Sequence, residues 1–382
     1  MTHIVVAGAG IGGLAAALAL AAVGARVTLL ERRDALAEYG AGVQLSPNAT
    51  RVLAGLDLLD RLNTIALDPQ AVRVRRGRDG ADLVRFPLGD YATRRYGGPF
   101  LLILRPDLQR ALAAEATIRG GIELRFGVDV RAAAAGPRGS VIIETAIGQV
   151  SADGFVDARG VGSTEARRSG RSAWRALVSA AGLVPDHLRP ETNLWLGRRA
   201  HLVHYPVPGA DKVNVVAVVE DGAPRDDAGK DLWSQPGRPD RLRRSFAGWH
   251  ASALQLLDPR AEWRRWPLLV AAPLPRWSEG ARTRLGDAAH PMLPFLAQGA
   301  SQAIEDAGVL AACLRVDGDV PAAFASYEEK RRGRATRVQA ASARQADIYH
   351  LGRPASDARD LALRLLGGRR ALARLDWLYG TG

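Results

Sequence analysis

A single cysteine, Cys313, serves a chain of 382 residues. With no second thiol there is no internal disulfide, and with no CxxC pair there is no zinc spacing. Cys313 lies in an Ala- and Leu-rich stretch and reads as a buried, inert thiol. Lysine is nearly missing as well: Lys212, Lys230 and Lys330 are the only three, so arginine carries the net charge of +12. Those arginines fall in small separated groups, such as Arg73, Arg75 and Arg76, Arg167 and Arg168, Arg243 and Arg244, and Arg331 and Arg332. A nucleic-acid surface needs clustered cations with a reading motif, and neither occurs. The positive field is read instead as attracting anionic dinucleotides and carboxylate substrates. Long apolar runs are absent: the stretch after Leu14 breaks at Gly24 and Arg26, and residues 1–6 form a short strand without a basic leader. The expectation is therefore no membrane span, no signal peptide and a cytoplasmic protein. Ser-His-Asp arrangements and paired catalytic carboxylates are missing too, and no metal is expected.

What is present suits a full core. The chain is 47% hydrophobic and 24% charged, both near globular averages, and its length argues for two interlocked domains. Residues 3–7 are β-branched and apolar, as in a strand buried on both faces of a parallel sheet. Residues 11–23 read as a helix and 26–30 as the next strand, which completes a βαβ unit. A loop over 40–48 precedes a helix expected over 49–63, and 71–76 with 82–86 alternate like a hairpin. A helix opens at Pro106 and Asp107 and runs to Arg119, followed by strands near 122–130 and 140–147. Between residues 172 and 275 the character changes to paired strands, 201–207 and 213–220, with most of the tryptophans. The chain then returns to a strand at 282–285, a helix over 298–314 and a helical remainder to about residue 375.

Gly8-Ala9-Gly10-Ile11-Gly12-Gly13 satisfies GxGxxG directly after a buried strand and at a helix start. Its glycines permit a tight turn and let the backbone approach a pyrophosphate, whose charge meets the free N–H groups of the helix N-terminus. Glu31 ends the second strand, placed to accept hydrogen bonds from a ribose.

The stretch Arg284-Leu285-Gly286-Asp287-Ala288-Ala289-His290-Pro291, continuing through Pro294 and Gln298-Gly299-Ala300 to Glu305-Asp306, closely resembles the GD motif of class A flavoprotein monooxygenases. The similarity is to the salicylate hydroxylase, 6-hydroxynicotinate and 3-hydroxybenzoate hydroxylase group, and it runs from Ile4 to about Arg334. In that family the Asp binds the flavin ribityl hydroxyls, the Pro lies near the isoalloxazine, and the Gln-Gly-Ala backbone opens a helix facing the flavin pyrimidine. A helix N-terminus there stabilises the anionic character of reduced flavin. The loop Gly40 to Asn48, the start Arg105-Pro106-Asp107-Leu108-Gln109, and the segments Ala173-Trp174-Arg175 and His201 to Pro206 resemble family elements around flavin and substrate. One motif departs. Where the family reads Gly-Ala-Asp-Gly with a following Ser and Arg, this chain reads Asp157-Ala158-Arg159-Gly160, then Ser163 and, one residue late, Arg167. Arg159 reverses the local charge, and either clamps a pyrophosphate itself or weakens the reduction step.

The resemblance implies an α/β (α+β mixed) fold, with a Rossmann-like FAD-binding domain interleaved with a β-sheet substrate domain and C-terminal helices, as in para-hydroxybenzoate hydroxylase. The expected division is 1–70, 101–171 and 278–335 for FAD, 71–100 and 172–277 for substrate, and 336–382 for the terminal helices. It also implies FAD-dependent ring hydroxylation of a small aromatic or heteroaromatic acid, with NADH or NADPH and O2, through a C4a-hydroperoxyflavin. Carried over position by position, the cofactor set is Gly8, Gly10, Ile11, Gly13, Glu31, Arg32, Gly42, Val43, Arg105, Gln109, Val130, Arg159, Asp287, Pro294, Gln298, Gly299 and Ala300. Gln44, His201, Tyr205 and Pro294 would meet the substrate, in a monomer or homodimer. His201 and Tyr205 are four apart and share a strand face; a base there would draw a proton from a ring hydroxyl, with His204 or a packed imidazole as alternatives. His290 is read as structural or flavin-lining. The tryptophans at 174, 195, 249, 263, 266 and 277 are read mostly as core, with one or two facing an aromatic substrate. Two further readings stay open: a same-fold oxidoreductase or epoxidase on a non-aromatic metabolite, and a flavin-binding protein with impaired reduction.

Overall fold

The computed structural model describes residues 1–36, 42–163, 165–222 and 235–380. Gly40, Ala41 and Lys230 lie outside the described residues, as does the side chain of Ser163.

The strand His3–Ala7 sits at the middle of a five-stranded, all-parallel sheet, in the order Arg282–Arg284, Gly154–Asp157, His3–Ala7, Arg26–Leu30, Ile122–Arg125. Ile4, Val5 and Val6 are fully buried, as an apolar strand covered on both faces must be. Helix Ile11–Ala22 packs on helix Gly299–Asp317 at short range, because both present small residues: a Cβ on Gly12 would come within 3.0 Å of the Ala303 Cβ. The return of the chain at residue 282 thus completes the first sheet, as the distant GD segment requires.

A second sheet has eight strands, in the order Gln235–Pro236, Arg264–Val270, Arg167–Ser179, Lys212–Glu220, Ala200–Pro206, Glu191–Gly197, Ala71–Arg76, Asp82–Pro87. Every pairing is antiparallel except one: Glu191–Gly197 runs parallel to Ala71–Arg76, which docks the early hairpin onto strands more than a hundred residues later. A three-stranded meander, Val130–Ala135, Val141–Thr145 and Gly148–Ala152, flanks the parallel sheet, and a ribbon of Gly42–Leu45 with Leu101–Leu104 links the layers. Helix Val320–Tyr349 spans about 45 Å at 1.5 Å per residue. It is started by Asp319, whose carboxylate accepts from Ala322 N at 3.1 Å.

Three expectations on elements are corrected. The helix expected over 49–63 is two, Pro47–Ala54 and Leu59–Asn63, because the chain turns at Gly55 and Asp57 has a φ of 60°. The strand expected over 122–130 is two strands in different sheets, separated at Gly127 with a φ of 71°. The helical remainder is four helices, interrupted by Gly352-Arg353-Pro354, by Gly367 with a φ of 70°, and between Ala373 and Asp376. Cys313 is buried, with Lys330 Nζ 3.7 Å from its sulfur. Among the described residues no helix is long and apolar enough to cross a membrane, and no cluster of His, Cys, Asp and Glu could hold a metal ion.

Candidate active site

A cavity of about 520 Å³ lies between the turns that follow the parallel strands and one face of the eight-stranded sheet. Its floor repeats the strand period of two: Val72 and Val74, Thr192, Leu194 and Leu196, His201, Val203 and Tyr205, Val216 and Val218 all face it. The opposite wall carries Gly10, Ala158, Gly160, Gly286, Asp287 and Gly299, contributed by three separate turns of the parallel-sheet layer. The far end is closed by Tyr349 of the long helix and by Leu372, Leu375 and Tyr379 of the terminal helices.

Of the residues singled out from sequence, twelve line this cavity: Gly10, Ile11, Gly42, Val43, Gln44, Arg105, His201, Tyr205, Asp287, Pro294, Gly299 and Ala300. The others stand behind it. A Cβ on Gly8 would lie 2.7 Å from Ala158 O, and one on Gly13 would lie 1.9 Å from Gly8 O, so both glycines are required by the turn itself. Glu31 accepts from Ala9 N at 2.8 Å and Arg33 N at 3.1 Å, while Gln109 Nε2 donates to Ala9 O at 2.6 Å. The glycine turn is thereby pinned from two sides. Gln298 is buried in a network with Ser46, Asn48 and Gln302, tying the 42–48 segment to the helix start at Gly299. Arg32 is exposed at the end of the second strand.

Arg159, expected at the pyrophosphate, is engaged within its own turn. Its guanidinium is bidentate on Asp157, at 2.9 and 2.8 Å, and its third donor reaches Val130 O at 2.7 Å, so it neutralises its own strand end and holds the meander. Val130 enters as that backbone acceptor rather than as a cavity residue. His290 donates its role to structure: Nε2 lies 2.5 Å from Asp306 Oδ2, which also accepts from Gly286 N, while Arg331 Nε binds the other oxygen. Burial opposes ionisation of Asp306, but His290 and Arg331 beside it hold the carboxyl well below the ordinary range. His204 sits on the other face of its strand, 4.7 Å from the His187 ring and outside the cavity. Among the described residues no Trp lines the cavity, against the expectation that one or two face the substrate; Trp174, Trp195, Trp263 and Trp277 are buried in the packing around it.

The electrostatics of the cavity are set by few groups. Arg175 reaches it from the strand Arg167–Ser179; burial, then Arg105, pulls its guanidinium down to about 10, against Tyr205, so it stays charged at neutral pH. Among the described residues it has no carboxylate partner, stacking instead over Trp266 with its Nε unbonded. Burial raises the Tyr205 hydroxyl above its ordinary range, which keeps it a donor, and it packs on Gly42, where a Cβ would meet its Oη at 2.1 Å. Burial, then His350 and Arg171, lowers His201 well below the usual imidazole value, so it is a neutral acceptor. Arg175 carries no role in the sequence expectations beyond its place in a segment near the substrate; its signal is an arginine inside the apolar run Ala173-Trp174-Arg175-Ala176-Leu177-Val178.

The residues fit FAD. A Cβ on Gly10 would meet nothing within 4 Å, leaving an open cradle at the helix start, and the half-buried Asp287 carboxyl, which lines the cavity, has no hydrogen-bond partner among the described residues. Its acceptor oxygens suit polyol hydroxyls, and the N-terminus of Gly299–Asp317 suits an anionic ring edge.

Comparison with known proteins agrees with this geometry. The family model described as FAD binding domain matches residues 1–342. The chain is 36% identical to 3-amino-4-hydroxybenzoate 2-monooxygenase PtnB3 of Streptomyces platensis, over 100% of this chain and 98% of that protein. It is 34% identical to 3-hydroxybenzoate 6-hydroxylase 1 of Aquipseudomonas alcaligenes, over 99% and 97%. The crystal structure of Klebsiella pneumoniae HpxO complexed with FAD and uric acid superposes with a TM-score of 0.83 at 26% identity, covering 99% of this chain and 97% of that one. With a glycine turn, a Gly-Asp turn and a substrate-sized cavity between them, the chain belongs to the FAD-dependent class A flavoprotein monooxygenases.

Proposed function

We propose that the cavity hydroxylates a small hydroxylated or amino-substituted aromatic or heteroaromatic acid, with NAD(P)H as reductant and O2 as oxygen donor. The observation that carries this reading is the pairing, in one apolar cavity, of a charged arginine without a carboxylate partner and a neutral histidine. Gly8, Gly10, Ile11, Gly13, Glu31 and Arg32 hold the adenosine and pyrophosphate part of FAD. Arg105, Asp287, Gly299, Ala300, Gly42, Val43 and Pro294 hold its ribityl and ring part. Gln109, Val130, Arg159 and Gln298 shape these turns from behind. Held there, FAD would supply the redox chemistry, taking a hydride from NAD(P)H and activating O2 for the ring.

The chain's own residues do the rest. Arg175, supported by the field of Arg105, binds the substrate carboxylate through a charge-assisted hydrogen bond in a low-dielectric wall. His201 accepts the proton of the ring hydroxyl and raises the electron density of the carbon to be attacked. Tyr205 donates to a substrate oxygen, and Gln44, held by Thr192 at 3.2 Å, borders the same space. The apolar strand floor and the terminal helices exclude water from the reacting ring.

The test is flavin bleaching by NADH or NADPH under nitrogen, with and without 3-hydroxybenzoate, 3-amino-4-hydroxybenzoate or 6-hydroxynicotinate. Substrate-stimulated bleaching followed by a hydroxylated product in air is expected. Bleaching that no aromatic acid accelerates overturns the reading in favour of a flavin-binding protein with impaired reduction. Arg175→Gln is expected to raise KM for the acid by roughly 10- to 100-fold, the value of a charged hydrogen bond, with flavin content retained.

A further inference from the structure

His201 does not end its hydrogen bonding in the cavity wall. Its Nδ1 lies 2.9 Å from His350 Nε2, and His350 Nδ1 lies 3.0 Å from Glu220 Oε1. The first histidine faces the cavity, the second is 3% exposed, and the carboxylate at the end is 26% exposed. A continuous chain of three titratable groups therefore runs from the substrate space to solvent, and the rings of Phe295 and Tyr349 pack against His201.

We propose that His201, His350 and Glu220 form a proton relay between cavity and surface, in which Glu220 and His350 are positioning residues that fix His201 in the tautomer with a bare Nε2. The proposal rests on the assignment of His201 as base above. Its logic is one of donors and acceptors. Glu220 receives Arg171 at 2.9 and 3.1 Å, and burial of its carboxyl is outweighed by His350 and Arg171, so it is ionised and only accepts. His350 must then carry its proton on Nδ1. Burial lowers His350, against the pull of Glu220, so it is neutral and its Nε2 accepts. His201 must therefore donate from Nδ1, which leaves Nε2 with its lone pair; that atom has no partner among the described residues and belongs to a side chain lining the cavity.

A proton arriving from the substrate hydroxyl on His201 Nε2 releases the Nδ1 proton to His350 Nε2. The His350 Nδ1 proton moves to Glu220, which gives it to solvent. One proton enters and one leaves, without any change of oxidation state, and the reverse transfers re-protonate the product oxygen before release. The charged groups around the path are Arg171, bonded also to Asp347 at 2.9 Å, and Arg199, 3.7 Å from Glu220. They keep the exit carboxylate ionised. Tyr349, raised by burial to about 12, stays neutral beside His201.

Two measurements test this on the FAD-loaded enzyme. In 15N-histidine-labelled protein, His201 is expected as the Nδ1–H tautomer with a bare Nε2, and Glu220→Gln is expected to mix its tautomers; a wild-type His201 protonated on Nε2 overturns the relay. In anaerobic mixing with 3-hydroxybenzoate, His350→Gln keeps an acceptor for His201 Nδ1 but cannot pass a proton. It should slow substrate deprotonation there, and kcat in aerobic turnover, by roughly 10-fold or more, with KM little changed. Glu220→Gln, nearer the surface, carries the same expectation should His350→Gln fail to fold. If His201→Asn slows deprotonation while both relay variants match wild type, the relay is wrong and the base assignment stands. If His201→Asn is also silent, both fall.

Discussion

Single histidines carry the pH behaviour of this molecule. Burial drives His204 well below its ordinary value of 6.5, with His187 and then Arg75 adding to the effect, and His201 is lowered in the same direction. A depressed folded value means that the unfolded chain binds the proton first, so stability is complete above 6.5 and declines as pH falls from there toward the folded values. Each such histidine contributes a slope of up to about 1.4 kcal/mol per pH unit in that window. Thermal unfolding followed from pH 7.5 down to 5 should therefore lose stability steadily, and His204→Phe, which keeps a ring in the same place, should flatten that limb by one histidine's share. Identical limbs would sink the assignment. Which residues matter was only partly legible beforehand. His201 and Tyr205 stood out by their spacing, but His350 and Glu220 join them across separations of 149 and 130 residues, which no local pattern encodes. Arg159 shows the opposite case: its charge was visible, but its engagement by Asp157 two positions earlier depends on how the strand end turns.

At the scale of elements, the strand-turn-helix around Gly8–Gly13 was readable because each of its requirements is local. Two glycines of one motif nevertheless serve different ends. Gly13 abuts the carbonyl of Gly8, and a Cβ there would sit 1.9 Å from that oxygen, so Gly13→Ala must move backbone. Gly10 has an ordinary φ of −72° and nothing within 4 Å of an added Cβ. Gly10→Ala should accordingly fold with wild-type apoprotein stability but bind FAD weakly, whereas Gly13→Ala should lose stability with or without flavin. The flavin-to-protein ratio and the melting temperature of the stripped protein separate the two, and a Gly10→Ala apoprotein as damaged as Gly13→Ala would contradict this division. The expected helix over 49–63 failed for a related reason. Its apolar spacing continues through the break, but Leu56 and Leu58 are buried from the turn between two short helices and Leu62 from the second, and Asp57 in the left-handed region is a tertiary choice that the spacing does not announce.

For the whole molecule, the cavity is finished by the last residues of the chain, and two arginines hold them there. Arg51 donates to Tyr379 O at 2.7 Å and Gly380 O at 3.2 Å; Arg334 donates to Trp377 O at 2.6 Å and Leu378 O at 2.7 Å. These are the carbonyls that a helix C-terminus leaves without partners. Arg334 is itself fixed by Glu305, in the helix that begins at the Gly-Asp wall, so the closure of the far end is coupled to the opposite wall of the same cavity. Arg334→Met keeps the stem but removes four hydrogen bonds, and should cost roughly 2–3 kcal/mol. Because Leu372, Leu375 and Tyr379 line the cavity, the loss should fall on function as well as on stability. Hydrogen exchange over residues 368–380 should rise, and water admitted beside the reacting ring should divert reduced oxygen to hydrogen peroxide, so that peroxide released per NAD(P)H increases. Faster exchange without any rise in peroxide would mean that the terminal helices brace the fold but do not seal the chemistry.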